Sequence, residues 1–326
     1  MVGIGGKLTT IIPNFNGEAE IAGCLASVLR EAPASSIIVV DDGSTDGSLD
    51  LIKHRFPEVR VIQFEENRGF AHAVNAGILA AETPYVFLLN NDARVTPGAL
   101  QRLLGAMEET GRNTFSVQAK MLTRSKPRRI DSCGDLYCAL GWAFSPGLGA
   151  DEGQYCRRTE LTSTCAGAAL YRRELLIRVG MFDEAHFCYL EDVDLGIRAR
   201  LAGYRNLYEP TAVVLHSGSA SSGGKRHSDF KVRLAAGNNL YLLYKNFPPV
   251  VLAILSPLLA AGMVIKGVYF CRKGLGTAYI GGLAEGCRKI LDGADRRVRP
   301  ANPRELRALI RLTAELYVNL IRRVVG

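Results

Sequence analysis

Three short runs of acidic residues are the parts of the chain best suited to chemistry. Residues 41–42 (Asp-Asp) and 90–92 (Asn-Asn-Asp) each follow a short apolar run, and residues 191–194 read Glu-Asp-Val-Asp. Carboxylate oxygens bind hard divalent cations and accept hydrogen bonds from N–H groups and hydroxyls. A well-placed carboxylate also acts as a general base. These residue types therefore suit a site that binds a cation and moves a proton.

The elements that would position the first two runs alternate between strands and helices over the first ninety residues. Strands are expected at residues 7–12, 36–40, 59–64 and 85–89, and helices at residues 18–30, 48–56 and 71–81. This order predicts an α/β fold with a mostly parallel sheet covered by helices on both faces. Functional residues on such a sheet lie at the carboxyl ends of the strands, where residues 41–42 and 90–92 fall.

The middle of the chain gives weaker signals. Residues 123–162 are rich in Gly, Arg and polar residues, and they predict loops or a short hairpin over the sheet edge. A helix is expected from about Arg173, and another follows the acidic run at 191–194 and ends at Gly203. Residues 211–215 predict one more strand, which would place His216 at its end.

The end of the chain differs from the rest in charge and hydropathy. The net charge is +8, and 13 of the 40 Lys and Arg residues but five of the 32 Asp and Glu residues follow residue 265. The residues before that point are therefore neutral overall, which argues against a nucleic-acid partner because no basic surface accompanies the sheet. Residues 246–265 carry no charged side chain and are marginal in length for a membrane span. Asn302, Pro303 and Glu305 predict the start of a basic amphipathic helix.

We therefore expect an α/β domain over residues 1–245 and a helical extension over residues 246–326 that associates with an anionic membrane surface. A single span would carry the basic residues outward, so an in-plane or re-entrant arrangement is expected. The eight cysteines form no CxxC pair, which argues against a zinc site and favours a reducing compartment. The first apolar stretch, residues 8–13, is too short for a signal peptide, so none is expected.

Five strings in the chain resemble, in order and spacing, the motifs of family 2 glycosyltransferases, which have the GT-A fold. They are residues 10–17 (TIIPNFNG), 40–47 (VDDGSTDG), 67–77 (NRGFAHAVNAG), 89–93 (LNNDA) and 190–195 (LEDVDL). The resemblance covers roughly residues 7–245. Within the family, the chain is similar to a bacterial rhamnosyltransferase-like branch that elongates lipid-linked polysaccharides.

The resemblance implies a site for the nucleotide-sugar donor at the strand ends. Asp41 and Asp42 match the pair that contacts the base and ribose, although aspartates at this place also cap helices. Arg68 and Gly69 lie at a helix N-terminus, where an Arg and backbone N–H groups meet phosphate. The full set of implied donor-binding residues is Pro13, Phe15, Asn16, Asp41, Asp42, Arg68, Gly69 and Asn91.

The resemblance also implies a metal site and a base. Asp92 corresponds to the last aspartate of the metal-binding DxD motif, with Asn90 in the first position, and Mg²⁺ or Mn²⁺ is the expected cofactor. His216 is a candidate second ligand, with a surface residue at a strand end as the alternative. Asp192 corresponds to the general base and Glu191 to its supporting neighbour, while Asp194 is expected to be structural. The alternative for all three is a helix N-terminus that favours acidic residues.

The implied activity is inverting transfer of a sugar from a nucleoside diphosphate to a hydroxyl of a glycan or polyprenyl-linked acceptor. dTDP-rhamnose is the favoured donor, and UDP- and GDP-sugars are the alternatives. A retaining transferase and a nucleotidyltransferase are the other enzyme classes on a similar core. An inactive scaffold would be expected to lack Asp92 or Asp192, and both are present. The implied location is the cytoplasmic side of the inner membrane, peripheral or monotopic, and the oligomeric state stays open, a homo-oligomer included.

Overall fold

The alternating first part of the chain forms one half of a large sheet. The computed structural model describes residues 4, 6–218, 227–293, 297–298 and 300–325. Its first elements are β1 (Leu8–Asn14), α1 (Glu18–Leu29), β2 (Ile37–Asp42), α2 (Ser48–Arg55), β3 (Arg60–Phe64), α3 (Phe70–Ala80) and β4 (Tyr85–Leu89). The predicted order is confirmed.

The middle of the chain completes the sheet and adds a small hairpin. Its elements are β5 (Ala93–Val95), α4 (Ala99–Glu109), β6 (Thr114–Thr123), β7 (Ile130–Ser132), β8 (Leu136–Cys138), β9 (Trp142–Phe144), β10 (Thr159–Leu161), β11 (Ala168–Arg172), α5 (Arg173–Val179), α6 (Glu191–Leu201) and β12 (Arg205–His216). The strand predicted at residues 211–215 is thus longer, and it has a register shift between Glu209 and Val213. The acidic run at 191–194 forms the first turn of α6 instead of preceding it.

The main sheet is mixed, with four parallel and five antiparallel strand pairings among the described residues, so it is less parallel than expected. Its order is β10-β12-β6-β11-β4-β1-β2-β3, and β5 and β7 pair with β12 and β6. Strands β1 to β4 are parallel, β12 is parallel to β6, and β11 is antiparallel to both its neighbours. β8 and β9 form the separate hairpin. The carboxyl ends of β1, β2, β4 and β12 therefore carry the polar residues that the sequence analysis placed there.

Two hydrophobic clusters cover the two faces of the sheet. Alternate residues of one strand point to opposite faces, so Phe87 and Leu89 of β4 enter one cluster and Val86 and Leu88 enter the other. The first cluster includes α1 and α4, and the second includes α3, α5 and part of α6. This burial on both faces explains the continuous apolar runs in the strands.

Four helices follow the sheet, and they pack against the α/β domain. They are α7 (Asp229–Asn246), α8 (Pro249–Arg272), α9 (Gly276–Asp292) and α10 (Pro303–Val325). Asn302 Oδ1 accepts hydrogen bonds from the N–H groups of Arg304 and Glu305, both at 3.0 Å, so the predicted N-cap of α10 is present. Leu312 and Leu316 of α10 share a buried cluster with Tyr137 and Ile197. The extension after residue 245 and the preceding domain therefore have a common core.

Helix α8 is the one helix of the described residues that is long and apolar enough to cross a membrane. One side of it packs on the β8–β9 hairpin, where Trp142 Nε1 donates a hydrogen bond to the Gly262 carbonyl at 3.2 Å. A side chain at Gly262 would overlap the Leu140 carbonyl, so this contact requires glycine. The opposite side exposes apolar residues such as Ile254 and Val264. One face of α8 thus packs against the protein, and apolar residues elsewhere on the helix are exposed.

Candidate active site

Two cavities lie beside the segment that leads into α6. The first, which we call the strand-end cavity, has a volume of about 470 Å³. The second, which we call the α10 groove, is larger, at about 1660 Å³. Residues 187–189 line the strand-end cavity, whereas Leu190, Asp192 and Val193 line the α10 groove. One short stretch of chain therefore contributes to both.

Seven of the predicted site residues line the strand-end cavity. They come from the ends of β1, β2, β4 and β12 and from the residue before α3, and they are Pro13, Phe15, Asp42, Gly69, Asn91, Asp92 and His216. The Asp42 carboxylate accepts hydrogen bonds from the N–H groups of Arg68 (3.0 Å) and Gly69 (2.9 Å). Burial raises the pKa of Asp42, and these hydrogen bonds offset only part of that effect.

Asn16, Asp41 and Arg68 occupy different positions from these seven. Asp41 is fully buried, and its carboxylate accepts hydrogen bonds from Asn14 Nδ2 (2.8 Å) and Ser44 N (3.0 Å). Asp42 is therefore the aspartate of the pair that lines the cavity, since successive strand residues face opposite ways. Asn16 is exposed and holds the loop after β2 by accepting a hydrogen bond from Thr45 N at 2.8 Å. The Arg68 side chain is exposed at the edge of the site.

A chain of amide and carboxylate groups fixes the loop after β4. Asn91 Nδ2 donates to Asn14 Oδ1 at 2.8 Å, and Asn14 Nδ2 donates to Asp41 at 2.8 Å. Gly17 packs directly on this pair, and a Cβ there would overlap both amides. The sequence analysis identified the string that holds Asn14 without giving the residue a role. Here Asn14 connects the ends of β1, β2 and β4 and so positions Asp92.

Asp92 and His216 meet at the inner end of the strand-end cavity. His216 Nε2 lies 2.9 Å from Asp92 Oδ1, and His216 Nδ1 lies 2.7 Å from Asp131 Oδ2. Burial opposes a charge on His216, but the contacts with Asp131 and Asp92 outweigh it and raise the pKa of His216 to about 10. Asp131 was missed by the sequence analysis because it lies in the weakly patterned region 123–162.

This geometry fits a divalent cation. A metal-binding histidine usually donates its second ring N–H to a carboxylate, which fixes the tautomer that leaves the first nitrogen free for the metal. Asp131 is such a partner, and it directs Nε2 of His216 to the side of Asp92, where a bound cation would replace the Nε2 proton. A carboxylate oxygen and an imidazole nitrogen are ligands for Mg²⁺ or Mn²⁺ that leave coordination positions for phosphate oxygens.

Glu191 and Asp192 form the start of α6, where Leu190 adopts a left-handed conformation with φ of 65°. The Asp192 carboxylate accepts hydrogen bonds from Val193 N (2.8 Å) and Ala166 N (3.4 Å). Burial raises the pKa of Asp192 to about 6 despite these bonds. Glu191 is 6% exposed, and burial together with the charge of Asp192 raises its pKa well above the ordinary value.

Asp194 belongs to a separate buried network. Its carboxylate lies 2.8 Å from Arg198 Nε and 2.9 Å from Lys245 Nζ, and it accepts a hydrogen bond from Asn246 Nδ2 at 2.7 Å. Burial alone would raise the pKa of Asp194, but these cationic neighbours lower it far below the ordinary value. The network links α6 to α7, which matches the structural role expected for Asp194.

The loop between the two cavities is held by Asn238 of α7. Asn238 Nδ2 contacts the carbonyls of His186 (2.9 Å), Cys188 (2.8 Å) and Tyr189 (2.7 Å). Lys289 of α9 donates a hydrogen bond to Asn238 Oδ1 at 2.6 Å. Positive φ angles at Phe187, Tyr189 and Leu190 show that the loop has an unusual backbone path. The extension therefore helps to shape the wall that the two cavities share.

The α10 groove contains a second carboxylate that the sequence analysis missed. Asp135 lines the groove together with Asp192, and one carboxylate oxygen of each lies within 4.8 Å of the other and of the Cys165 thiol. Burial, and then the charge of Asp192, raise the pKa of Asp135 to about 8. Val318, Ile321 and Arg322 of α10 form the outer part of the groove.

Comparison with known proteins identifies the family of the chain. The family model for glycosyl transferase family 2 matches residues 9–180, more than half of the chain. The protein belongs to glycosyltransferase family 2. The family 2 enzyme is 31% identical over 223 residues to the N-acetylglucosaminyl-diphospho-decaprenol L-rhamnosyltransferase of Mycobacterium tuberculosis, covering 60% of this chain and 71% of that relative. The predicted resemblance to rhamnosyltransferases is thus confirmed.

Solved structures confirm the GT-A fold of this family 2 enzyme. GalNAc-T7, solved with UDP, GalNAc and Mn²⁺, superposes with a TM-score of 0.60 at 16% identity over 73% of this chain and 48% of its own. The mannosyltransferase PcManGT of Pyrobaculum calidifontis, solved with GDP-Man and Mn²⁺, gives a TM-score of 0.54 at 17% identity over 96% and 85%. Identities this low support the fold only.

Proposed function

We propose that this glycosyltransferase moves a sugar from a nucleoside diphosphate to a hydroxyl of a lipid-linked glycan, with inversion at the anomeric carbon. The observation that carries the proposal is the placement of Asp92 and Asp192. Asp92 lies with His216 in the strand-end cavity, and Asp192 lies in the adjoining α10 groove. Neighbouring residues between 187 and 193 line both cavities, so a donor in one and an acceptor in the other can meet where the cavities adjoin.

Asp192 is the proposed base. Inversion by a single displacement requires one group that takes the proton of the attacking hydroxyl as the bond to the leaving diphosphate breaks. A carboxyl group whose pKa is about 6 is mostly ionised near pH 7, so Asp192 can accept that proton. Its hydrogen bonds to Val193 N and Ala166 N fix the carboxylate in the groove. Glu191 is the supporting residue, because its buried carboxyl group adjoins Asp192 without lining the groove.

The donor is proposed to occupy the strand-end cavity. Phe15 and Pro13 offer apolar walls, while Asp42 presents a carboxylate for hydroxyl or imide donors. Asp92 and His216 would hold Mg²⁺ or Mn²⁺, which supplies charge neutralisation of the departing diphosphate. dTDP-rhamnose is the favoured donor because the M. tuberculosis relative is an L-rhamnosyltransferase. UDP-sugars are the second candidate.

The proposal is tested by a donor screen with the purified full chain. Release of nucleoside diphosphate is measured across dTDP-, UDP- and GDP-sugars with Mg²⁺ or Mn²⁺, using an N-acetylglucosaminyl diphosphate with a short alkyl chain as acceptor. Inverted anomeric configuration by NMR is expected. A retained configuration would contradict the single displacement, and release of inorganic diphosphate would indicate a nucleotidyltransferase.

The extension is proposed to hold the enzyme on the cytoplasmic side of the inner membrane without crossing it. Helix α8 is attached to the β8–β9 hairpin on one side, so its exposed residues, such as Ile254 and Val264, can enter the lipid in the membrane plane. The test is a flotation assay with anionic vesicles. A double variant with Ile254→Asp and Val264→Asp should bind the vesicles more weakly than the wild type. Glu174→Asp, a change at an exposed residue elsewhere, should bind them equally well. Periplasmic labelling of the C-terminus in intact cells would contradict this arrangement.

A further inference from the structure

The carboxylate of Asp135 has no role in the reaction described so far, although it lies beside the proposed base. Its oxygens and those of Asp192 approach within 4.8 Å, and both residues line the α10 groove. The backbone of Asp135 is fixed: its N–H donates to the Ser163 carbonyl at 2.9 Å, and its own carbonyl accepts from Thr162 N and Ser163 N. The side chain therefore projects from a rigid support.

The carboxyl groups of Asp135 and Asp192 differ in their hydrogen-bond partners. The Asp192 oxygens accept hydrogen bonds from Val193 N and Ala166 N. Among the described residues, by contrast, no hydrogen bond to the Asp135 carboxylate occurs. Two carboxylates this close repel each other when both are ionised, and the cost falls when hydrogen-bond donors lie between them. With a pKa of about 8, Asp135 is mostly protonated near pH 7 beside the ionised Asp192, so the groove presents a neutral carboxyl group whose oxygens can accept hydrogen bonds from a ligand.

We propose that Asp135 binds the acceptor sugar through a donor group on the carbon next to the one that reacts. The idea rests on the proposed function, in which Asp192 takes the proton of the attacking hydroxyl. Hydroxyl groups on neighbouring ring carbons are close enough for one to contact Asp192 and the other to contact Asp135, each through an ordinary hydrogen bond of roughly 2.7 Å. A neighbouring amide N–H serves equally well. The acceptor is therefore a vicinal diol or its amide equivalent, and Asp135 is an acceptor-binding residue.

This role predicts a link between one residue and one group of the substrate. The probe is the N-acetylglucosaminyl diphosphate with a short alkyl chain, together with analogues that each lack one hydroxyl or the acetamido group. NMR of the product first identifies the reacting hydroxyl. Loss of the donor group beside it should lower kcat/KM of the wild-type enzyme by roughly 2–10-fold, the usual range for a hydrogen bond between uncharged groups.

The decisive measurement combines this analogue with Asp135→Asn. The variant should show a similar loss with the complete probe and little further loss with the analogue, because both changes remove the same contact. The KM for the donor should stay at the wild-type value. Glu174→Gln, the same carboxylate-to-amide change on an exposed residue of α5, is the matched control and should match the wild type.

Each other outcome contradicts the proposal at a defined point. Losses that multiply when the variant and the analogue are combined would show that Asp135 acts elsewhere. If Asp135→Asn does not fold, the wild-type enzyme still provides a test. Equal kcat/KM values for the complete probe and for every analogue would then overturn the proposal. A wild-type enzyme that releases nucleoside diphosphate but transfers sugar to none of the probes would overturn the proposed acceptor class and the role of Asp135 with it. If Asp135→Asn transfers sugar with wild-type kinetics, the proposed function stands and only the role of Asp135 in acceptor binding is excluded.

Discussion

The strand-end cavity and the α10 groove are assembled from the chain in different ways. The strand-end cavity uses the ends of four strands of one sheet, and seven of its 17 lining residues belong to short strings near Pro13, Asp42 and Asp92. The α10 groove combines the β8–β9 hairpin, the start of α6 and a helix that follows more than one hundred residues later. A sheet dictates where its strand ends meet, whereas a groove between distant segments depends on how those segments pack. The proposed donor side of the enzyme is thus fixed by the fold, and the proposed acceptor side is open to variation.

The largest effect that separates the two sides is expected for Asp192→Asn. The change keeps the shape and removes proton acceptance, so turnover should fall by roughly 10²–10⁴-fold. Binding of the donor with metal, measured by calorimetry, should persist because Asp192 lies in the α10 groove. Glu191→Gln should reduce turnover less. A near-wild-type rate for Asp192→Asn at equal donor affinity would move the base elsewhere.

The converse pattern is expected for Asp92→Ala. Activity should fall by at least ~10²-fold, as for other removals of a group that stabilises developing charge. Here the defect should include weaker metal-dependent binding of the nucleoside diphosphate, because Asp92 lies with His216 in the strand-end cavity. Calorimetric titration of the nucleotide with and without Mn²⁺ measures this. Full wild-type activity in EDTA would remove the metal from the mechanism.

A smaller effect on the same side is expected for Asp131→Asn. Asp131 contacts His216 Nδ1 and not the cavity directly, and loss of such a supporting carboxylate usually costs 10–100-fold in metal affinity. The Mn²⁺ concentration for half-maximal activity should rise by roughly that factor, while kcat at saturating Mn²⁺ changes little. Asp151→Asn, an exposed carboxylate near the surface of the same region, is the matched control. An unchanged Mn²⁺ requirement for Asp131→Asn would separate His216 from the metal.

The smallest expected effect concerns pH. Because burial raises the pKa of Asp192 to about 6, kcat/KM for the acceptor should fall as pH drops through about 6, where the base becomes protonated. An unperturbed aspartate would place the same limb near pH 4. The pH profile of kcat/KM, measured with saturating donor, distinguishes these values. A limb near pH 4 would show that the Asp192 carboxylate is well solvated in the working enzyme.

The sequence predicted the lining of the strand-end cavity better than that of the α10 groove, for physical reasons. The strings around Asp42 and Asp92 follow regular strands, so hydrophobic periodicity placed them at strand ends, whereas the run with Asp192 was expected before α6 and forms its first turn. Alternation along a strand also implies that Asp41 and Asp42 point opposite ways, so only one of the pair was to be expected in the cavity. Asp131 and Asp135 lie among short strands in a polar region, where no periodic pattern exists. Their contacts with His216 and Asp192 arise from tertiary packing between residues far apart in the chain.

The joint between the hairpin and α10 has a consequence for evolution and for engineering. Ala139 N donates a hydrogen bond to the Leu316 carbonyl at 3.0 Å, and the buried Asn319 donates to the Tyr137 carbonyl, also at 3.0 Å. A chimera whose imported hairpin follows a different backbone path would lose these bonds and leave buried carbonyl and amide groups unpaired. The hairpin and α10 therefore have to be exchanged together when the acceptor preference of one family member is transferred to another.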